Sequence, residues 1–181
     1  MDGFGYGSHV LLSDDNGENW RMSENIKPGC NESQIIELSD GTLLMNMRSY
    51  NDKKCRAIAL SKDGGENWSE IEHALQLVES KCQASIINYG KYMGKNMYLF
   101  SNPAVPSLRK YMTIKTSFDD CKTWTNSKLI FEGESAYSCM TVLPNGDIGI
   151  FFEKGKKRQR DMVFVAFSHD ELFKPGVLMK E

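Results

Sequence analysis

The chain has 181 residues, of which 40% are hydrophobic and 25% charged, with a formal net charge of -2. This length suits one domain with a sizeable core. The near-neutral balance gives no signal for nucleic acid or a membrane surface, and no apolar run approaches the ~20 residues of a membrane-spanning helix. Met1-Asp-Gly-Phe-Gly-Tyr-Gly7 has neither the basic flank nor the apolar core of a signal peptide. The compartment stays open between a cytoplasmic chain and a piece of a longer secreted one. Cys30, Cys55, Cys82, Cys121 and Cys139 form no CxxC pair and no metal-ligand rhythm, so free, mostly buried thiols are expected, with no metal and no cofactor.

In chain order, a short strand over 7–12 runs into Ser13-Asp-Asp-Asn-Gly-Glu-Asn-Trp20. A hairpin follows from Glu32 to Arg48, turning at Asp40-Gly41. A strand over 56–60 then enters a second box, Ser61-Lys-Asp-Gly-Gly-Glu-Asn-Trp68. His73–Val78 reads as a helix or a strand. A second hairpin begins near Gln83 and returns through 97–100, with a longer turn around 90–96. The strand 111–116 enters a third box, Ser117-Phe-Asp-Asp-Cys-Lys-Thr-Trp124, where Cys121 replaces glycine. A third hairpin runs from Tyr137 to Glu153 through Asn145-Gly146. The basic run Lys154-Gly-Lys-Lys-Arg-Gln-Arg160 reads as a solvated hairpin loop. The strand 162–167 leads to a trace of a fourth box, Ser168-His-Asp170, and Gly176–Met179 is an ambiguous end.

The box starts at 13, 61, 117 and 168 are separated by 48, 56 and 51 residues. A period near 50 with four short strands per unit predicts an all-β fold of β-propeller blades, each four antiparallel strands. Residues 1–181 then form one partial propeller domain of about three and a half blades, too few for a closed ring. Ser13, Asp15, Gly17 and Trp20, with Ser61, Asp63, Gly65 and Trp68 and with Ser117, Asp119 and Trp124, are read as structural. Ser and Asp accept backbone N–H bonds, Gly supplies positive φ, and Trp anchors the turn.

The first and third hairpins superpose without a gap at a constant offset of 105, which lays Glu32 over Tyr137 and Arg48 over Glu153. Register puts the hairpin turns and boxes at one face. Glu32, Arg48, Arg56, Gln83, Ser101, Asn102, Arg109, Tyr137 and Glu153 fall at the other. Such a gathering fits either a functional site or rim ion pairs.

The boxes, with Asn31-Glu-Ser-Gln34, Met45-Asn-Met-Arg48, Ser101-Asn-Pro103 followed by Arg109, and Ala136-Tyr-Ser138 with Ile148–Glu153, resemble the exo-α-sialidase (neuraminidase) family, whose boxes are called Asp boxes. The similarity covers about Gly7 to Phe167 in the family's order. It implies a six-bladed propeller and retaining cleavage of terminal α-linked sialic acids, with Tyr137 as nucleophile and Glu32 as its base. Arg48 and Arg109 would bind the substrate carboxylate, and Glu153 would steady a further arginine, with Asn102 in support; register alone, not the resemblance, turns Gln83 toward a substrate hydroxyl as a further supporting residue. Sialylated glycans are the implied partners. A neutral tyrosine suits a substrate whose own carboxylate repels an anionic nucleophile, but at a free pKa of about 10 it needs a base.

The first arginine of the family's triad, in an Arg-x-Pro setting, and an acid/base aspartate have no counterpart here. The chain is therefore expected to be a C-terminal portion of the catalytic domain, inactive or nearly so alone, completed by a missing N-terminal half or by self-association. A non-catalytic Asp-box module that binds glycan or protein is the alternative, and a trans-sialidase shares the same chemistry.

Overall fold

A computed structural model describes residues 5–26, 28–156 and 161–179. Residues 1–4, part of the segment read above for a leader, and 157–160 of the expected basic loop lie outside them. Apart from one short 3-10 helix, the described secondary structure is antiparallel β. A two-residue ladder pairs β1 (Leu11–Leu12) with β2 (Arg21–Met22). The first full blade is β3 (Cys30–Glu37), β4 (Leu43–Ser49), β5 (Cys55–Ser61) and β6 (Glu72–Val78), hydrogen-bonded in that order. His73–Val78 is therefore strand.

The second blade is β7 (Ser85–Tyr92), β8 (Lys95–Pro103), β9 (Lys110–Ser117) and the first half of β10 (Asn126–Val142). β10 is 17 residues long and changes partner along its length. Asn126 to Glu134 pair with β9, and Ser135 to Val142 pair with β11 (Ile148–Lys154), with register shifts between the halves. One strand thus closes the second blade and opens the third, which β12 (Asp161–Phe167) continues. The tail is not a fourth strand of that blade. Leu178 and Met179 donate to the carbonyls of Leu129 and Ile130, in parallel with the first half of β10.

The turn of the second hairpin is tighter than its sequence suggested. Two residues, Met93 (φ 48°) and Gly94 (φ 79°), make it, and the irregularity near Gly90 is a bulge opposite β8. Methionine rarely takes positive φ, which hides this turn from a composition-based reading. Ser168-His-Asp170 keeps one box bond, Asp170 N–H to Ser168 Oγ, but continues into a 3-10 helix (His169–Phe173) that buries Leu172.

The boxes repeat almost bond for bond. Ser61 Oγ donates to Asp63 Oδ1 at 2.8 Å and accepts from Gly65 N at 2.9 Å. Asp63 accepts Asn67 N at 3.0 Å, and Trp68 Nε1 caps the Gly65 carbonyl at 3.0 Å. Ser13, Asp15, Gly17, Asn19 and Trp20 make the same set. In the third box Cys121 takes the glycine's place at φ 63°, while Ser117, Asp119 and Thr123 keep the pattern. Gly65 is required twice over: its φ is +96°, and a Cβ there would meet Leu12 at 3.3 Å.

Apolar layers lie between the blades. Met45, Met47, Ala57 and Ala59 pack toward the N-terminal ladder through Ile26 and Val10. Ile36, Leu44 and Leu77 meet Ala84, Ile86, Tyr98 and Phe100 of the next blade. Met97, Leu99, Met112 and Ile114 meet Met140, Ile148, Ile150 and Phe152 of the third. Burying about 25 cal/mol per Å2 of such surface is what makes neighbouring blades stack.

Candidate active site

Blade geometry brings the innermost strands together at the face opposite the boxes. Ser39 of the first hairpin turn holds Asp120 of the third box, at 2.7 Å through its hydroxyl, which fixes turns and boxes on one side. On the other side Glu32 lies near the start of β3, Arg48 near the end of β4, and Tyr137 in the second half of β10. The equal register of the two hairpins aims Glu32 and Tyr137 at each other.

The Tyr137 hydroxyl donates a short hydrogen bond to Glu32 Oε1. Arg48 Nη1 donates to Glu32 Oε2 at 2.7 Å and to the Tyr137 oxygen at 3.3 Å. Arg109, in the loop before β9, stands with its guanidinium 5.6 Å from the Tyr137 ring centre and donates to the Lys81 carbonyl at 2.9 Å. Arg48 and Arg109 therefore flank one phenol. Arg48 Nε is buried and has no hydrogen-bond partner among the described residues. An unpartnered buried donor costs free energy until a ligand or water meets it.

Burial pulls Glu32 toward its neutral form, but the hydrogen bonds from Tyr137 and Arg48 and the charges of Arg48 and Arg109 outweigh it and hold the carboxyl below its usual value. Burial, then the hydrogen bond and charge of Glu32, push the Tyr137 phenol up. At rest the proton thus sits on Tyr137, with an ionised acceptor already bonded to it. This arrangement can pass the phenolic proton to Glu32 as the oxygen gains a new bond.

Glu153 lies across the hairpin, its Oε2 accepting the Tyr137 backbone N–H at 3.4 Å. Gln83 has an unexpected connection. Its Oε1 accepts Ser138 N and its Nε2 donates to Ser138 O, both at 3.0 Å, so the amide clamps the backbone beside Tyr137. Asn102 is buried and donates to the Val78 carbonyl at 2.8 Å, leaving its Oδ1 unpartnered. It braces β8 against β6 rather than joining the Tyr137 cluster. Ser101 reaches the third blade through its hydroxyl, 2.8 Å from that of Ser138.

Three residues were not singled out from the sequence. Glu79 receives Arg56 Nη1 at 2.7 Å, an ion pair whose side chains are each 1% exposed. Tyr50 lies under Arg48, 5.0 Å from guanidinium to ring centre, and Lys81 lies 5.7 Å from the same ring. Two-residue spacing from Arg48 was the available signal for Tyr50; Glu79 and Lys81, in a loop, carried none.

A cleft of about 320 Å3 borders Tyr137, lined also by Gln83, Ser138, Glu153 and the apolar Phe151 and Met162. A larger cleft of about 540 Å3 opens on the box side between Leu44, Leu60 and Trp124. It holds none of the clustered groups, and of them only Tyr137 lines the smaller one, which Glu32, Arg48 and Arg109 do not reach.

The sequence model of the BNR repeat-like domain matches residues 2–150. The sialidase of Bacteroides fragilis is 36% identical over 151 residues, covering 80% of this chain and 28% of that protein. Among solved structures, the NanB sialidase of Streptococcus pneumoniae aligns with a TM-score of 0.82 at 28% identity, over 92% of this chain and 28% of that one. The intramolecular trans-sialidase of Ruminococcus gnavus, solved with oseltamivir carboxylate, aligns at 0.80 and 29% identity, over 92% and 39%. The chain spans about a third or less of the length of most of these relatives. It belongs to the BNR repeat-like domain family and is a partial homologue of bacterial sialidases.

Proposed function

We propose that these 181 residues carry the nucleophile and carboxylate-binding half of a sialidase-type glycoside hydrolase site. The observation that carries this is the Tyr137–Glu32 hydrogen bond, with Arg48 donating to the other carboxylate oxygen and to the phenol oxygen. Arg48 and Arg109 bind the sialate carboxylate, as planar guanidinium forks do. Tyr137 Oη attacks the anomeric carbon, its proton passes to Glu32, and the bond to the leaving group breaks. Water then attacks the anomeric carbon and the sialyl–tyrosine bond breaks; the departing Tyr137 oxygen takes its proton back from Glu32 and the water's proton goes to solvent, so configuration at the anomeric carbon is retained.

The unit is the C-terminal half of such a catalytic domain. Phe151, Met162 and Phe164 stand exposed on the third blade, on the side away from its packed neighbour. That apolar surface supports a reading in which further blades complete the ring. The aspartate acid and first arginine implied by the resemblance would come from there. Without that aspartate, departure of an alcohol loses the about 10²–10⁴-fold that general acid catalysis supplies.

Fluoride needs no such proton. The pure chain should therefore release fluoride from a sialosyl fluoride, giving the α-anomer first by NMR, while leaving sialyl-galactoside intact. Equal turnover of both would show an acid within the chain. Binding of sialic acid without fluoride release would instead favour a non-catalytic module.

A further inference from the structure

Arg56 is the largest fully buried side chain described, 1% exposed in the middle of the first blade. It takes no part in the proposed chemistry. Its guanidinium makes a fork of contacts: Nε to Asn46 Oδ1 at 2.6 Å, Nη1 to Glu79 Oε2 at 2.7 Å and to the Cys82 carbonyl at 2.9 Å, and Nη2 to the Glu32 and Asn46 carbonyls at 3.5 Å. Glu79 in turn accepts the Ser49 N–H at 2.8 Å through its other oxygen.

Apart from those to Asn46, these contacts lead to or beside a site residue. The Glu32 carbonyl belongs to the residue whose carboxylate holds Tyr137. Ser49 follows Arg48. Cys82 precedes Gln83, whose amide clamps Ser138 next to Tyr137. One buried ion pair thus ties together the backbones under Glu32 and Arg48 and reaches the third blade through Gln83.

We infer that Arg56 and Glu79 are positioning residues, a buried charge clamp that sets the distance between the Glu32 carboxylate and the Tyr137 phenol; this rests on the proposed roles of that pair. Two apolar side chains of similar volume would seal the same space with no desolvation of charge, and such replacements are often neutral or stabilising. What apolar groups do not supply is a planar set of donors with fixed directions. Lysine at position 56 keeps the charge but can satisfy these diverging acceptors only in part.

The test compares the unsubstituted chain with Arg56→Lys and with the double variant Arg56→Met/Glu79→Gln. The glutamine keeps an acceptor for Ser49 N–H, and the pair leaves no lone buried charge, so this variant folds even where Arg56→Lys does not. Two readouts are taken below the thermal midpoint. One is the carboxyl-¹³C titration of Glu32, assigned by its loss in Glu32→Gln. The other is the rate of covalent labelling by a 3-fluorosialosyl fluoride against its concentration.

In both variants the Glu32 titration should move up toward the usual carboxylate range. The maximal labelling rate should fall about 10²-fold, the usual penalty for a misplacement near 1 Å, with half-saturation changed much less. Folded variants with the Glu32 titration unmoved and labelling within about twofold of the parent would overturn the inference. If the parent itself is not labelled, the proposed function fails, and the Glu32 titration alone still decides whether Arg56 and Glu79 position that carboxylate.

Discussion

Two arginine–glutamate pairs belong to the same blade, one glutamate coming from the loop after its last strand, and their differences separate a working site from the frame beneath it. Both have an N···O distance of 2.7 Å. The Arg56–Glu79 pair is sealed, with each side chain 1% exposed and five contacts from one guanidinium. The Arg48–Glu32 pair is open, at 13% and 31%, shares its charge with the Tyr137 phenol, and leaves Arg48 Nε without a partner. Pair distance therefore carries no information about role. The unfilled hydrogen-bonding capacity and the access to solvent do, because a ligand can replace only what the protein has not already satisfied.

The sharpest break in this comparison is at the bases. Glu32→Gln should cut labelling of Tyr137 by about 10²–10⁴-fold, the range for loss of a general base, with the thermal midpoint nearly unchanged. Removing the arginines should separate the pairs next. Arg48→Ala should weaken binding of a sialate ligand about 10- to 100-fold, as expected for a charge-assisted contact, again at little cost in stability by calorimetry.

Arg56→Ala should do the reverse first. Leaving Glu79 alone in the interior costs about 3–5 kcal/mol, or very roughly 6–20 °C in a domain of this size, before any effect on labelling is read. A smaller effect concerns pH. Glu32 is held below its usual value, so its folded form gains stability above the ordinary carboxylate range and loses it as pH falls through the depressed value. The labelling rate should fall on the acid side along the same limb.

The boxes provide the weakest perturbation. Backbone and side-chain hydrogen bonds from Asn19 and Asn67 hold Asp15 and Asp63 at about 2. Their contribution is present above the unfolded value of about 4 and drains away as pH falls toward 2. Asp63→Asn should flatten acid unfolding monitored by tryptophan fluorescence while leaving labelling at pH 7 as in the parent. A loss of labelling there would join the boxes to the site.

The repeat made much of this legible in advance. Boxes with Ser, Asp and Trp at fixed spacing fix strand direction, and the offset of 105 predicts that Glu32 and Tyr137 share a position in the first and third units. The short hydrogen bond between them follows from that register. Glu79 was invisible because a loop glutamate after an apolar strand looks like solvated surface until the fold closes over it. Gln83 was assigned to a substrate hydroxyl because register gives the direction of a side chain, not what stands there first. Here it is the Ser138 backbone. The length of β10 was hidden for a related reason. Glu132-Gly-Glu134 reads as a break between strands, yet the chain passes through it from one blade into the next, changing partners without leaving the extended state.

The central claim is that Tyr137 is a nucleophile made ready by Glu32 within this chain. Peptide mapping by mass spectrometry after incubation with a 3-fluorosialosyl fluoride measures it directly. The account predicts a single 3-fluorosialyl adduct on Tyr137, absent in Tyr137→Phe and much slowed in Glu32→Gln. An unmodified Tyr137 in a folded, ligand-binding chain, or an adduct on another residue, would contradict it.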